Sequence, residues 1–167
     1  GMQSLGVLAG ATSSEARALS ADGSTIVGES LQISSVTKEA FCWTESGGIQ
    51  GLGLLSGREN SHAAAVSTDG STVVGNSSDV CQDEFTGEAF RWTLAGGMQS
   101  LGFLPGADGS SALGLSADGS VVVGHSFGGT FFQEAFRWTQ AGGIQGLGVL
   151  DGGTFSFVAA VSGDGST

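Results

Sequence analysis

The 167-residue chain has no Tyr, a single Pro (Pro105), two Cys and two His. It carries only five Lys and Arg against sixteen Asp and Glu, a net charge of −11. Each scarcity excludes something. Nucleic acids and anionic membranes need a basic footprint that five cations cannot supply. Two cysteines are too few for a disulfide scaffold, and with His62 and His125 they have no zinc-ligand spacing. No apolar run approaches the roughly 18 residues of a membrane helix, so no membrane insertion is expected. The sequence opens without a basic stretch followed by an apolar one, so a signal peptide would have to come from upstream sequence.

What is abundant is Gly, with 31 residues, together with ten Phe and three Trp. The Gly residues lack the every-third spacing of collagen. Gly plus Pro also falls short of the roughly 25–30 % typical of low-complexity disorder. Gly is a poor helix former, and the runs between glycines are too short for ordinary helices. With 40 % hydrophobic residues the chain can bury a core. These figures point to an all-β protein.

The glycines punctuate an internal repeat. GMQSLG at Gly1 returns at Gly97, and GIQGLG stands at Gly48 and Gly143, giving spacings of 47, 49 and 46 residues. Within each unit SADGSTIVGES (20–30) matches STDGSTVVGNS (67–77) and SADGSVVVGHS (116–126). EAFCWT at Glu39 matches EAFRWT at Glu88 and Glu134. The pattern divides 1–167 into one array, with repeats at about 1–47, 48–96 and 97–142 and a partial fourth at 143–167. Each unit reads as four short strands, in the first copy about 15–21, 24–30, 39–44 and 49–55. Asp22-Gly23, Asp69-Gly70 and Asp118-Gly119 mark two-residue hairpins with positive φ at both turn positions. Four-stranded antiparallel units of this length, repeated, predict a β-propeller-like array. The small residues of the first strand suit an innermost position. The pairs Phe41/Trp43, Phe90/Trp92 and Phe136/Trp138 suit the wider space between neighbouring blades.

The pattern S-x-D-G-S-x-V-V-G-x-S … A-F-x-W-T … G-G-x-Q-x-L-G resembles the HAF repeat family of bacterial extracellular and surface proteins. Here Glu39, Glu88 and Glu134 stand where the family name has His. The order of strands is also similar to a WD-repeat blade. The family resemblance implies an exported bacterial protein, extracellular or at the cell surface, that binds or decorates something. It brings no catalytic motif to these positions.

Other motifs have local readings. Gly124-His125-Ser126-Phe127-Gly128 fits the G-x-S-x-G of a hydrolase elbow. That chemistry needs a strand-to-helix turn, and Ser126 aligns with Ser30 and Ser77 of the other copies. GLGLLSG (51–57) has the wrong spacing for a dinucleotide loop. The acidic loop from Asn76 to Glu88 carries Asp79, Asp83 and Glu84. It reads as a solvated loop or, alternatively, a calcium site; no other cofactor is expected. Cys42 and Cys81 read either as a disulfide in an oxidising compartment or as two free thiols. Asn76-Ser77-Ser78 fits a glycosylation sequon. Arg91 and Arg137 are expected to pair with a nearby carboxylate, Glu88 or Glu134.

Three functions follow. The first is a non-catalytic exported module for binding, adhesion or scaffolding of an extracellular ligand, through variable loops at 31–38, 78–87 and 127–133. The second is self-assembly. Three and a half blades do not close a ring, so open sheet edges are expected to meet other copies or the rest of a longer chain. Two chains would supply about seven to eight blades, and addition without closure would give a filament. The third is a carbohydrate-active enzyme using paired carboxylates at the axis, for which the sequence shows no acid–acid or His–acid constellation.

Overall fold

A computed structural model describes residues 4–79, 87–128 and 132–166. The twelve strands are β1 (Ser13–Leu19), β2 (Thr25–Gln32), β3 (Thr37–Thr44), β4 (Gly48–Gly53), β5 (Asn60–Val66), β6 (Thr72–Ser78), β7 (Glu88–Thr93), β8 (Gly97–Gly102), β9 (Gly109–Leu115), β10 (Val121–Gly128), β11 (Phe132–Thr139) and β12 (Gly143–Gly146). They form three four-stranded antiparallel sheets, β1–β4, β5–β8 and β9–β12, each a meander in chain order. Among the described residues there is no helix. The β-branched runs Thr25-Ile26-Val27, Thr72-Val73-Val74 and Val121–Val123 occupy the second strands, where such side chains pack well on a pleated surface.

The sheets stack face to face, with their first strands in mutual contact. Phe90 and Trp92 of the second sheet pack against Val27, Ala40, Cys42, Leu52 and Leu55 of the first. Phe136 and Trp138 of the third pack likewise against Val74, Ala89, Leu101 and Leu104 of the second. Phe41, Phe90 and Phe136 are fully buried.

Trp43 corrects the expectation that all three Phe/Trp pairs fill spaces between blades. Like Trp92 and Trp138 it is half-buried, but unlike them it joins neither seam. Instead it lines an open surface cleft with Gly23, Ser24, Glu45 and Ser46. The reason is position in the stack. Phe41 and Trp43 share the face of the first sheet turned away from the second, and among the described residues no other sheet packs on that face. Residues 4–8 lie there instead, with Gly6 beside Ile49, the ladder partner of Trp43, and Leu8 bonded to Ser30.

A serine code fastens each seam. Ser61 Oγ accepts the Ala40 N–H (2.9 Å) and donates to the Gly53 carbonyl (2.7 Å). Ser77 Oγ accepts the Leu55 N–H (3.2 Å). Ser110 and Ser126 repeat both roles in the second seam. These bonds satisfy buried backbone groups that would otherwise be costly.

The Asp-Gly hairpins differ from the expectation at one position. Only Gly23, Gly70 and Gly119 have positive φ; their Asp neighbours do not. Gly70 N–H closes the turn on the Ser67 carbonyl (3.0 Å), and Asp69 is held instead by side-chain bonds. Its Oδ1 accepts the Ser67 hydroxyl (2.7 Å) and the Ser71 N–H (3.0 Å). The Ser67 N–H bonds the Thr72 carbonyl (2.9 Å), so the loop 68–71 is two residues longer than a two-residue loop, and the αL position falls to Gly alone.

These bonds favour the ionised form and hold the carboxyls of Asp69, Asp118 and Asp164 down to about 2, from an ordinary 3.8. A depressed folded value stabilises the fold above the unfolded pKa, and that stabilisation is lost as pH falls through the folded one. The denaturation midpoint should therefore drop between pH 4 and pH 2. In the Asp69→Asn/Asp118→Asn double variant that drop should be shallower, as urea titrations at pH 5, 3 and 2 would show.

Candidate functional site

The first strands carry a recurring irregularity. Ala16 faces Gly28 and Ala18 faces Val27, so Arg17 is an extra, unpaired residue on β1. Ala64 and Leu113 hold the same bulged position on β5 and β9. The Gly of each V-G-x-S permits the bulge. A Cβ at Gly28, Gly75 or Gly124 would lie 1.9–2.0 Å from the carbonyl oxygen of Glu15, His62 or Ser111. Bulges re-aim side chains, and here Arg17, Ala64 and Leu113 all line one cleft of about 290 Å³.

The remaining walls are Glu29, Lys38, His62, Ala63, Ser111 and Ala112. Glu29 is buried, and its Oε1 accepts from Lys38 Nζ (2.7 Å) and from Arg17 (3.4 Å). His62 Nδ1 lies 4.0 Å from the other oxygen. Burial pushes the Glu29 carboxyl up. The Lys38 hydrogen bond and the charges of Lys38, His62 and Arg17 outweigh it and keep the carboxyl below its usual value. Glu15, directly across the ladder from Glu29, pairs with Arg17 at 3.2 Å. The acid–acid and His–acid groupings that the sequence did not reveal are therefore present, assembled by four strands of two sheets. The bulge was the missing signal, and no single-strand pattern encodes it.

The sequence-marked residues fall elsewhere. Asp79 bonds Arg58 at 3.0 Å, while Asp83, Glu84 and Cys81 lie outside the described residues. Among the described residues no three His, Cys, Asp or Glu side chains converge as metal ligands. Cys42 is half-buried in the first seam, and burial pushes its thiol up. Ser126 is fully buried in β10, its hydroxyl accepting the Leu104 N–H at 3.0 Å; among the described residues no strand-to-helix turn surrounds it. Asn76, the sequon residue, is fully buried in β6.

Arg91 corrects an expectation. Its partners are the Gly119 carbonyl (3.4 Å) and the Thr72 hydroxyl (3.2 Å), not Glu88. Arg137 reaches the Gly165 carbonyl (3.5 Å) in the same way, rather than Glu134. Each guanidinium spans to the next Asp-Gly turn because it projects along the seam. The Glu residues meanwhile hold the turn after the fourth strand. Glu39 accepts the Gly53 N–H (3.2 Å), Glu134 accepts the Gly148 N–H (2.8 Å), and Glu88 accepts the Ser100 hydroxyl.

Three stacked four-stranded meanders, first strands together, define an all-β array of the β-propeller type. No family model and no curated protein matches the chain. Solved structures do. One is TolB from Acinetobacter baumannii, at 14 % identity and a TM-score of 0.57, covering 83 % of this chain and 32 % of that one. Another is a TolB-designated protein from Agrobacterium tumefaciens, at 17 % identity and a TM-score of 0.58, covering 82 % and 50 %. The chain thus spans between a third and a half of their length, and at these identities the likeness concerns the fold.

Proposed function

We propose that this chain is a non-catalytic exported or cell-surface repeat module, three propeller blades and part of a fourth, that binds a ligand through its unrepeated residues. The carrying observation is a division of labour. The repeated Ser, Asp, Glu and Gly residues are consumed in seams and turns, whereas the unrepeated Arg17, Glu29, Lys38 and His62 meet at one cleft. A rigid scaffold presenting variable positions is how binding surfaces are commonly built. The 31–38 loop adds exposed Ile33 and Val36. Val36 is held at φ 56°, a conformation costly for a β-branched residue and characteristic of functional loops. The likeness to HAF repeats supports export to the bacterial surface.

The test is an array of bacterial-envelope and host glycans and of peptides, probed with the chain and with Glu29→Gln. A ligand retained by the chain and weakened at least tenfold by Glu29→Gln is the expected result. Retention that ignores both Glu29→Gln and changes at Ile33 and Val36 would remove the basis for this site.

Glu15 and Glu29, facing one another beside the cleft, favour a second reading, a glycan-cleaving enzyme with two carboxylates. A general acid needs a raised pKa, and Glu29 is held ionised, which leaves it the nucleophile or base. Turnover of fluorogenic glycosides, abolished in Glu29→Gln, would establish this reading in place of the first.

A further inference from the structure

The chain spends most of its few cations on structure. Of five Lys and Arg, Arg58 pairs with Asp79 at 3.0 Å, and Arg91 and Arg137 reach turn carbonyls. The other two, Arg17 and Lys38, stand in one cleft together with His62. A chain of net charge −11 has thus gathered three basic groups at one place.

A second cleft, also of about 290 Å³, shares Glu29 and Lys38 with the first. Its other walls are Ser13, Ser14, Glu15 and Leu31. Glu15 faces Glu29 across one ladder and Lys38 faces Leu31 across the next, so all four side chains share one face of the first sheet. The two clefts therefore form one groove running past Glu29, and all its walls lie between residues 13 and 113.

The groups in the groove define its occupant. Glu29 Oε1 accepts from both Lys38 Nζ (2.7 Å) and Arg17 (3.4 Å), so a cationic ligand would find that charge already offset. His62 Nδ1 approaches Oε2 only to 4.0 Å, too far for a hydrogen bond, which leaves Oε2 to accept a hydroxyl from a ligand. Arg17 holds Glu15 at 3.2 Å through one nitrogen and Glu29 at 3.4 Å through another. The Glu15 pair is exposed, and exposed ion pairs are worth little. Glu15 thus stands in the free chain where a ligand's carboxylate would sit, and the planar guanidinium fork suits that group. A doubly charged phosphate would face both Glu15 and Glu29. An added peptide strand fits poorly, because the bulges at Arg17, Ala64 and Leu113 interrupt the backbone row it would pair with.

We infer, building on the binding role proposed above, that this groove takes a glycan carrying one carboxylated sugar, a uronate or a sialate, on an otherwise neutral chain. The carboxylate displaces Glu15 from Arg17 beside Lys38 and His62, and a hydroxyl of the glycan donates to Glu29 Oε2. One acid matches the local charge; a polyanion would meet the negative charge of the whole chain.

Calorimetric titration of the whole chain checks this with a trisaccharide ending in glucuronate, one ending in N-acetylneuraminate, and the methyl ester of each. At least one acid should bind, and its ester, which keeps the hydroxyls and loses the charge, should bind about tenfold more weakly. Which acid binds identifies the sugar. Arg17→Gln should also weaken the acid about tenfold, and Arg17→Lys should restore only part of that, because the fork is lost. Arg17 is exposed on β1, so neither change disturbs the core. Glu15→Gln should tighten the acid, and not the ester, by roughly two- to fivefold, the worth of an exposed pair. A merely structural Glu15 would weaken both ligands instead. Acid and ester bound alike, no acid bound, or a Glu15→Gln variant that binds no tighter each overturns the inference. A neutral glycan or a peptide that needs Glu29, in place of either acid, overturns it and leaves the binding role standing. If no ligand depends on Glu29, both fall.

Discussion

Replacing Phe90 by Ala should lower the unfolding free energy by about 3–5 kcal/mol, the usual range for a fully buried aromatic. Phe90 is 0 % exposed and is the largest fully buried side chain in the seam between the first two sheets. Its ring fills the space bounded by Val27, Ala40, Leu52 and Leu55 on one side and by Ala63 and Val73 of its own sheet on the other. A void there cannot collapse easily, because the serine bonds on both edges hold the two sheets at a fixed separation. Against a typical total of 5–15 kcal/mol the loss is severe. It should also be local. In a stacked array each unit contacts only its neighbours, so stability is a sum of unit and interface terms. Hydrogen exchange should show β1–β4 losing protection first while β9–β12, held by the Phe136 seam, keep theirs. Trp92 sits in the damaged seam and reports the same event by fluorescence. Phe90→Leu, which retains most of the volume, should cost less than half as much; equal costs would mean that the ring fills no defined space.

The strand order and the sheet count were readable because they are written in short-range chemistry. Val-rich runs, Asp-Gly and Gly-Gly pairs recur at fixed spacing, and the resulting meanders need no long-range information. What was not readable depends on approach between strands. The Gly of V-G-x-S falls inside the expected second strand, but nothing in the pattern tells that Gly28, Gly75 and Gly124 make room for a neighbour's carbonyl. Trp43 looks equivalent to Trp92 and Trp138, because a repeat records the unit and not its place in the stack. Arg91 looks like a partner for Glu88 three residues before it. On a strand, residues at odd separations point to opposite faces, so the guanidinium leaves along the seam while Glu88 turns to Ser100. The cleft escaped notice for the same reason. Arg17, Glu29 and Lys38 belong to three strands of one sheet and His62 to the next, and only the bulge brings Arg17 among them.

Gly75→Ala should be among the most damaging single methyl groups that can be added to this chain, costing about 3 kcal/mol. The backbone at Gly75 is not left-handed, so conformational preference is not the issue. The new Cβ would sit 2.0 Å from the His62 carbonyl oxygen and 3.0 Å from the Ala63 Cα. Both are backbone atoms of β5, and no rotamer change can move them. Relief requires opening the bulge, and β5 is pinned by Ser61 to the first sheet and packed through Ala63 into the core. Gly114→Ala is the matched control. It lies in β9, its Cβ would meet only a Val123 methyl at 3.6 Å, and the other copies already carry Ala18 and Ala65 there. That change should be neutral or stabilise by up to about 1 kcal/mol through the unfolded chain. Gly28→Ala introduces the same clash, at 1.9 Å from the Glu15 carbonyl, but against β1, which is largely exposed and can give way. It should cost less than Gly75→Ala while carrying Arg17 away from Glu29. A ligand that depends on the cleft should therefore be lost in Gly28→Ala at a stability that Gly75→Ala does not retain. Equal denaturation midpoints for the two variants would mean that the Gly of V-G-x-S does not set the bulge.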